Sequence, residues 1–406
     1  MNNVILFDDE SRDHLLPLTY VRPVCELRIG ILTIREKWER WLKAKTSFIT
    51  QDYLTAKYPI HIADSNFVIN GSVLPSERLC RLIEQLDINE ALMQNGELIA
   101  AHLNVSQFQH LMKEEEIEEL QGFELEEDTP FLKINRLHDL FALNDQAIRD
   151  DFALLTKDRI SQPLSDSNRL LGESKNLFIE EGAFVECATL NTATGPIYIG
   201  KDAQVMEGAL VRGPLAMNES SVLKMGAKVY GATTLGVSCK VGGEVKNSVL
   251  MSYSNKGHEG YLGNAVLGQW CNLGADTNNS NLKNNYSEVK LWDYAAGRFV
   301  LTGLQFCGLI MGDHSKCGIN TMFNTGTVVG IGANIFGSGY PRNFIPSFSW
   351  GGTNGYMTHK LSAVKDTARR VMARRKKEFG ETEEAIMDRI FEKTAGFRTW
   401  EKVLLQ

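Results

Sequence analysis

The sequence predicts three parts in order: an α/β head, a parallel β-helix built from six-residue repeats, and a helical arm. Three observations predict them. Glycine is concentrated, with 29 of 35 glycines between Gly172 and Gly355. Inside that stretch aliphatic residues recur at six-residue steps. Charge is also segmental, since residues 1–160 hold 17 Lys and Arg against 28 Asp and Glu, while the tail from His359 holds 12 against 8. The expected boundaries are 1–165 for the head, 172–345 for the repeats and 346–406 for the arm. A chain of 406 residues is too long for one ordinary core. Its net charge of −7 sets a field that repels nucleic acid. Seven cysteines without a C-x-x-C pair suggest neither a disulfide framework nor zinc, and no metal site is expected. The opening MNNVILFDDE reaches acid before an apolar run of signal length, and no stretch of about 18 apolar residues follows. A cytoplasmic protein that does not enter a membrane is expected.

In the head, Val4 to Phe7 reads as a buried strand opening onto the acidic loop Asp8, Asp9, Glu10. Thr33, with Glu36 three residues on, marks the N-cap of a helix carrying Ile34, Trp38 and Trp41. Strand-like segments at 61–63 and 67–69 alternate with helical ones at 77–86, 105–120 and 137–155, which favours a partly parallel sheet with helices packed on it. The acidic run from Lys113 to Leu120 reads as a solvated helix face, because adjacent carboxylates on a helix diverge.

The order strand, polar loop, L-T-x-x-R-P and L-x-x-G-x-L-T-I-x-E rests on Leu18, Thr19, Arg22, Pro23, Leu27, Gly30, Thr33, Ile34 and Glu36. It resembles the start of sugar-nucleotide pyrophosphorylases, in particular a short-headed group. The resemblance implies a truncated nucleotidyltransferase-like domain, with Arg22 and Arg28 as its candidate nucleotide-binding residues and Mg2+ as a requirement if it is active. Two departures stand against activity. Where such enzymes carry a Gly-rich loop that brings backbone N–H groups to the triphosphate, this chain has DDESRDHLLPL, without glycine. Val24 stands where a lysine follows the Arg-Pro pair. A nucleotide-binding or structural remnant fits the head as well as an active transferase does.

The six-residue period comes in blocks: Ile179 and Val185; Ile199, Val205 and Val211; Val229, Leu235 and Val241; Leu267 and Leu273; then Met311, Cys317, Phe323, Val329 and Ile335. An aliphatic residue at one position with small residues nearby is the pattern of a β-helix, in which three repeats make one triangular coil. Residues 213–221, 251–260 and 277–290 break the period and are expected to leave the coil as loops.

Polar chemistry concentrates at 241–281. The set E-V-K-N, K-x-x-H-x-x-Y-L-G and N-L-G-A-x-T-x-x-x-N, with fourteen residues from Glu244 to His258, resembles the acetyltransferase domain of the bifunctional N-acetylglucosamine 1-phosphate uridyltransferase / glucosamine 1-phosphate N-acetyltransferase family. The repeat region is similar to left-handed β-helix acyltransferases. The resemblance implies His258 as general base, a role that suits an imidazole titrating near working pH. It also implies Lys246, Tyr261 and Asn272 on the sugar phosphate, Asn281 on the sugar, Glu244 near the amine, the Ala275 N–H at the thioester oxyanion and Thr302 against the cofactor. Acetyl-CoA is the implied cosubstrate and a homotrimer, with sites between adjacent coils, the implied assembly. Other readings of the residues stay open. Asn278 and Asn279 fit an amide ladder as well as a substrate contact, Lys246 fits a solvated strand lysine, and Tyr261 fits a core aromatic. Any basic contact between Lys283 and Lys290 is unassigned.

The arm reads as a helix from His359 to Phe379 stopped by Gly380, then a second from Glu383 to Lys393 capped by Thr382. The basic cluster 369–377 suits a solvated helix face, with the phosphates of coenzyme A as the alternative. The arm is expected to cover the open end of the coil. The leading expectation, from the resemblance, is an acetyl-CoA-dependent N-acetyltransferase acting on an amino-sugar 1-phosphate, with glucosamine 1-phosphate as the expected substrate. The alternatives are a sugar 1-phosphate nucleotidyltransferase and a non-catalytic solenoid that binds sugar nucleotides.

Overall fold

The computed structural model describes residues 3–112, 120–126 and 131–400. By internal contacts these fall into two units: residues 1–15, 19–27 and 32–136, and residues 16–18, 28–31 and 137–406.

The first unit is built on a six-stranded sheet in the order Thr46–Ile49, Val4–Phe7, Ser65–Asn70, Glu97–Asn104, Glu90–Gln94, Gln121–Glu124. Its first three strands are parallel and Glu97–Asn104 runs antiparallel to both neighbours, so the sheet is partly parallel as expected. Helix Ile34–Leu42 begins with the capping box, Glu36 N–H to Thr33 Oγ1 at 3.2 Å and Thr33 N–H to Glu36 Oε2 at 2.7 Å. Trp38 on this helix is fully buried. The strand expected at 61–63 is absent; Thr46–Ile49 pairs with Val4–Phe7 instead, and its four residues were too few to stand out. The hairpin at Asn95-Gly96, both at positive φ, carried the usual signal of such a turn. Apart from Leu120, the acidic run from Lys113 lies outside the described residues.

The continuous part of the second unit begins at Leu137, where a break at 165 was expected. Helices Asp139–Ala142 and Asn144–Thr156 replace the single helix expected there. Asn144 and Asp151 explain their membership: Asn144 accepts from Gly30 N–H at 2.7 Å and donates to Ala232 O at 3.0 Å, and Asp151 accepts from Ile31 N–H at 2.7 Å. Arg28 therefore belongs with the coil. Its guanidinium meets Asn218 Oδ1 at 3.1 Å and the carbonyl of Ile31.

From Arg169 the chain winds into a parallel β-helix. It has three faces. The first runs from Arg169–Leu171 to Tyr261–Gly263 in six strands, the second from Leu177–Ile179 to Phe344–Ile345 in nine, and the third from Phe184–Val185 to Ser349–Gly352, closed by the antiparallel strand Gly355–Thr358. Every aliphatic of the six-residue series points inward and joins one continuous core. Burial of each is worth about 1.5–3 kcal/mol, and the contacts are with the coil above and below.

All three expected excursions are corrected, the third because Asn278–Asn279 pairs with Met322–Phe323 inside the coil. Residues 213–221 stay in the coil, since Leu215–Met217 is a paired second-face strand whose Leu215 and Met217 point inward. Within 251–260, Asn255–Lys256 is a third-face strand and only the corner 257–260 loops out. The one large excursion runs from Ser280 to Cys307 and contains the hairpin Lys290–Asp293 with Arg298–Leu301.

The arm does more than close an end. Helix Leu361–Ala373 is shorter than expected, and the second helix, Glu381–Lys393, takes Gly380 as its N-cap, with Gly380 N–H on Glu383 Oε2 at 3.2 Å. The first helix lies along the corner between the second and third faces. Val364 sits over Gly332 near its start, and beyond its end Arg375 Nη2 reaches Ser238 O at 3.5 Å. Gly332 and Ser238 are four coils apart, about 19 Å at the usual strand spacing. Thirteen helical residues span about 20 Å, so the helix length matches the run.

Candidate functional site

Three coils place the polar window. On the first face, outward positions form a grid: Lys228, Glu244 and Tyr261 stack in one column, Tyr230, Lys246 and Gly263 in the next. Alternation explains the grid, because Val229, Val245 and Leu262 between them point into the core. Tyr230 Oη donates to Glu244 Oε1 at 2.7 Å, and this bond to a carboxylate pushes the phenol up to about 12. Lys246 Nζ lies 5.9 Å from the Tyr230 ring centre and 5.3 Å from that of Phe306. Gly263 has a specific use: a Cβ there would lie 2.2 Å from Tyr261 Oη, so the missing side chain lets the Tyr261 ring lie across the strand.

The first-face ladder stops at Tyr261–Gly263, and side chains finish it. Asn278 Oδ1 accepts from Tyr261 N–H at 2.7 Å, and Asn279 Oδ1 accepts from Gly263 N–H at 2.8 Å. These amides take the place of backbone carbonyls from a next strand, which is the ladder role left open in the sequence. Asn281, only 9% exposed, donates to Tyr261 Oη at 3.0 Å and Asn264 Oδ1 at 2.8 Å. It holds Tyr261 in place.

His258 stands exposed on the corner between the third and first faces. Gly260 at φ 109° permits that corner, since a Cβ would lie 2.2 Å from Thr277 O. Beneath it lies Lys256, 1% exposed, which occupies the inward position of the series Leu250, Lys256, Leu262. Its Nζ donates to the carbonyls of His258 at 2.7 Å, Gly242 at 3.1 Å and Glu259 at 3.2 Å. Burial pushes the ammonium down to about 8, against the pull of Glu259 and Asp276. Sequence reasoning missed this role, although a lysine in an aliphatic series was its signal.

His258 opens onto a cavity of about 690 Å³ that also holds Asn272, Ala275 and Asn255. The Ala275 N–H meets no acceptor among the described residues. Asn255 Oδ1 is buried in the wall without a partner. Lys224, Lys240, Lys316, Arg374 and Arg375 supply charge, and none has a carboxylate partner among the described residues. Burial, then Arg375, Lys224 and Arg374, hold Lys240 below the usual lysine range. The cavity is thus an uncompensated cationic pocket with one imidazole at its mouth. Thr302 is not among its lining residues; it sits on the excursion, where its hydroxyl donates to Val289 O at 2.9 Å. The structure brings His258, Asn272 and Ala275 together, and gathers Glu244, Lys246 and Tyr261 on the adjoining face.

In the first unit, Asp8 and Asp9 are committed to protein donors. Asp8 accepts from Thr50 Oγ1 at 2.5 Å and Val24 N–H at 2.7 Å and lies 3.3 Å from Arg12 Nε; burial pushes its carboxyl up to about 6. Burial of Asp9 opposes its charge, but bonds from Ser11, Asn70 and Lys133 hold it below the usual range. Two acids tied up in this way offer a poor seat for Mg2+. Arg22 is buried in the same unit. Among the described residues no cluster of His, Cys, Asp and Glu could hold a metal ion, and no helix is long and apolar enough to cross a membrane.

Comparison with known proteins follows the same division. Residues 4–160 match the family described as "Sugar nucleotidyl transferase". A "Bifunctional sugar-1-phosphate nucleotidylyltransferase/acetyltransferase" of Sulfurisphaera tokodaii is 31% identical over 35% of this chain and 35% of its own. The chain resembles bifunctional sugar-phosphate transferases. "Bifunctional protein GlmU" of Synechococcus elongatus is 23% identical over 63% of this chain and 59% of its own, and "Uncharacterized acetyltransferase YaiX" of Escherichia coli is 22% identical over 42% and 72%. The matches thus span between about a third and three fifths of the first two relatives' lengths.

Proposed function

We propose that the second unit is an acetyl-CoA-dependent N-acetyltransferase acting on an amino-sugar 1-phosphate, with glucosamine 1-phosphate as the first substrate to test. The observation that carries this reading is the position of His258, between a cationic cavity free of carboxylates and a first-face grid of Glu244, Lys246 and Tyr261. A thioester cosubstrate with phosphates suits the cavity, and Asn255 Oδ1 offers an acceptor to an amide N–H of the pantetheine arm. The grid suits an amino-sugar phosphate: Glu244 attracts the ammonium and Lys246 the phosphate.

His258 takes a proton from the sugar ammonium, the freed nitrogen attacks the thioester carbonyl, and the Ala275 N–H stabilises the oxyanion. Collapse breaks the C–S bond, the nitrogen gives up its extra proton to solvent and the protonated His258 returns its own to the departing thiolate, leaving the amide and coenzyme A thiol. Asn272, exposed on the cavity wall, binds the sugar phosphate, while Asn281 acts by holding Tyr261. Thr302 takes part only where the excursion meets a neighbouring coil, in a homotrimer with sites between subunits. An exposed base needs such cover.

The test is release of free thiol from acetyl-CoA with glucosamine 1-phosphate, with light scattering to count subunits. Activity that survives His258→Ala refutes the mechanism. The match of residues 4–160 favours a second reading, nucleotidyl transfer by the first unit, which pyrophosphate release from UTP or dTTP with a sugar 1-phosphate tests. The committed Asp8 and Asp9 favour a silent result there.

A further inference from the structure

The corner between the second and third faces repeats one backbone conformation in successive coils. Ser238, Tyr253, Trp270 and His314 occupy equivalent positions there, at φ 58°, 66°, 63° and 59°. Side chains at this corner stand above one another at the coil spacing. Tyr253 and Trp270 accordingly stack with centroids 4.1 Å apart and planes 5° apart, and His314 continues the column at 6.3 Å and 15°. Phe379 of the arm closes its far end edge-on, 6.2 Å from His314.

The near end is open. One coil below Tyr253 stands Ser238, too small to cover a ring, and Trp270 is the one aromatic stacked on Tyr253 among the described residues. Both rings line the cavity described above. The same cavity is lined by four cations besides Lys316. Lys224 and Lys240 come from the two coils below, and Arg374 and Arg375 from the end of the arm helix, with Arg375 anchored on Ser238 O at 3.5 Å. A planar aromatic surface in a cavity of uncompensated positive charge fits a purine nucleotide carrying several phosphates. Five residues separate Tyr253 from His258, at most about 18 Å of extended chain, a separation of the order of a pantetheine arm.

The geometry points to Tyr253 as the stacking platform for the adenine ring of coenzyme A, with Lys224, Lys240, Arg374 and Arg375 holding its phosphates. This rests on the acyl-transfer reading for the identity of the nucleotide, and on the cavity alone for its class. The arm helix then has a task beyond covering a corner: its length brings Arg375 to the coil just below the open ring.

The test is calorimetric titration of the purified full chain with adenosine 3′,5′-bisphosphate, beside the variants Tyr253→Asn, Tyr253→Phe and Lys240→Ala. Asparagine is chosen because it tolerates positive φ, and a circular-dichroism melt checks each fold. Loss of base stacking raises Kd in Tyr253→Asn by roughly 5- to 150-fold, while Tyr253→Phe restores wild-type binding. Lys240→Ala weakens binding and flattens its salt dependence. With the acyl-transfer assay running, the ratio of KM for acetyl-pantetheine to KM for acetyl-CoA falls in Tyr253→Asn. Wild-type affinity in Tyr253→Asn, or no binding of the bisphosphate by the wild type, overturns the platform. Binding that depends on Tyr253 without thiol release from any amino-sugar phosphate upholds the platform and overturns the acyl-transfer reading.

Discussion

Replacing Lys256 by leucine separates stability from catalysis. The lysine sits in an aliphatic series and its ammonium titrates at about 8 instead of 10.5. That depression of about 2.5 pH units corresponds to roughly 3 kcal/mol of penalty while the group is charged in both states. The sign follows: between about pH 8 and 10.5 the unfolded lysine still holds its proton and the folded one has released it, so stability rises with pH across that window. Leucine removes the penalty and also removes three bonds to carbonyls, worth about 1 kcal/mol each. The two nearly cancel, so Lys256→Leu melts within about 1 kcal/mol of wild type at pH 7. The difference in stability, wild type minus variant, grows by up to about 3 kcal/mol from pH 8 to 10.5. The corner carrying His258 meanwhile loses its tether, and kcat for acetyl transfer falls about 10- to 100-fold. Urea melts at several pH values and thiol-release kinetics measure both. A loss of more than about 3 kcal/mol at pH 7, a flat difference curve, or unchanged kcat would refute the reasoning.

Gly263→Ala puts a methyl 2.2 Å from Tyr261 Oη and displaces that ring, so KM for the sugar phosphate rises by at least tenfold on the order of a lost hydrogen bond to charge; unchanged KM counts against Tyr261 as a ligand. Tyr230→Phe removes the 2.7 Å bond to Glu244 and raises KM for the amino sugar about 3- to 10-fold, with the melting temperature held, because the pair is partly open to solvent. In the first unit Asp8 titrates at about 6 in the fold against 3.8 in the unfolded chain, so its contribution is present at low pH and falls away between about pH 4 and 6. Asp8→Asn abolishes that decline in a pH series of melts; a decline that persists assigns it to another group.

The repeat region was legible because its signal is one-dimensional. Val229, Leu235 and Val241 each meet only neighbouring coils, so a sequence period suffices to place them in the core. His258, Asn272 and Ala275 were legible for a related reason, since the coil turns short sequence separations into shared walls. What the period could not show was how polar residues substitute for it. Asn279 at an inward position fitted a substrate contact as well as a ladder, and only its bond to Gly263 N–H decides for the ladder; Leu215 and Met217 were hidden by the Pro214 and Asn218 that flank them. Arg28 lay beyond sequence reasoning, because its partner Asn218 is 190 residues away. The cations of the cavity come from three separated stretches, and the helix that brings Arg374 and Arg375 to Lys240 is placed by its length along a corner.

Lys256 and Asn279 give the solenoid a seam. In a stack where each turn is held only by its neighbours, cooperativity is set locally, and two polar inward positions around one broken ladder weaken the coupling there. The molecule should then breathe at this level as a hinge between two rigid blocks, one ending near Val241 and one beginning near Leu309. In native-state hydrogen exchange the amides of 255–263 would open by sub-global fluctuation while those of 197–241 wait for full unfolding. The part of the coil that must admit two substrates and release two products is the part least firmly bolted to the rest.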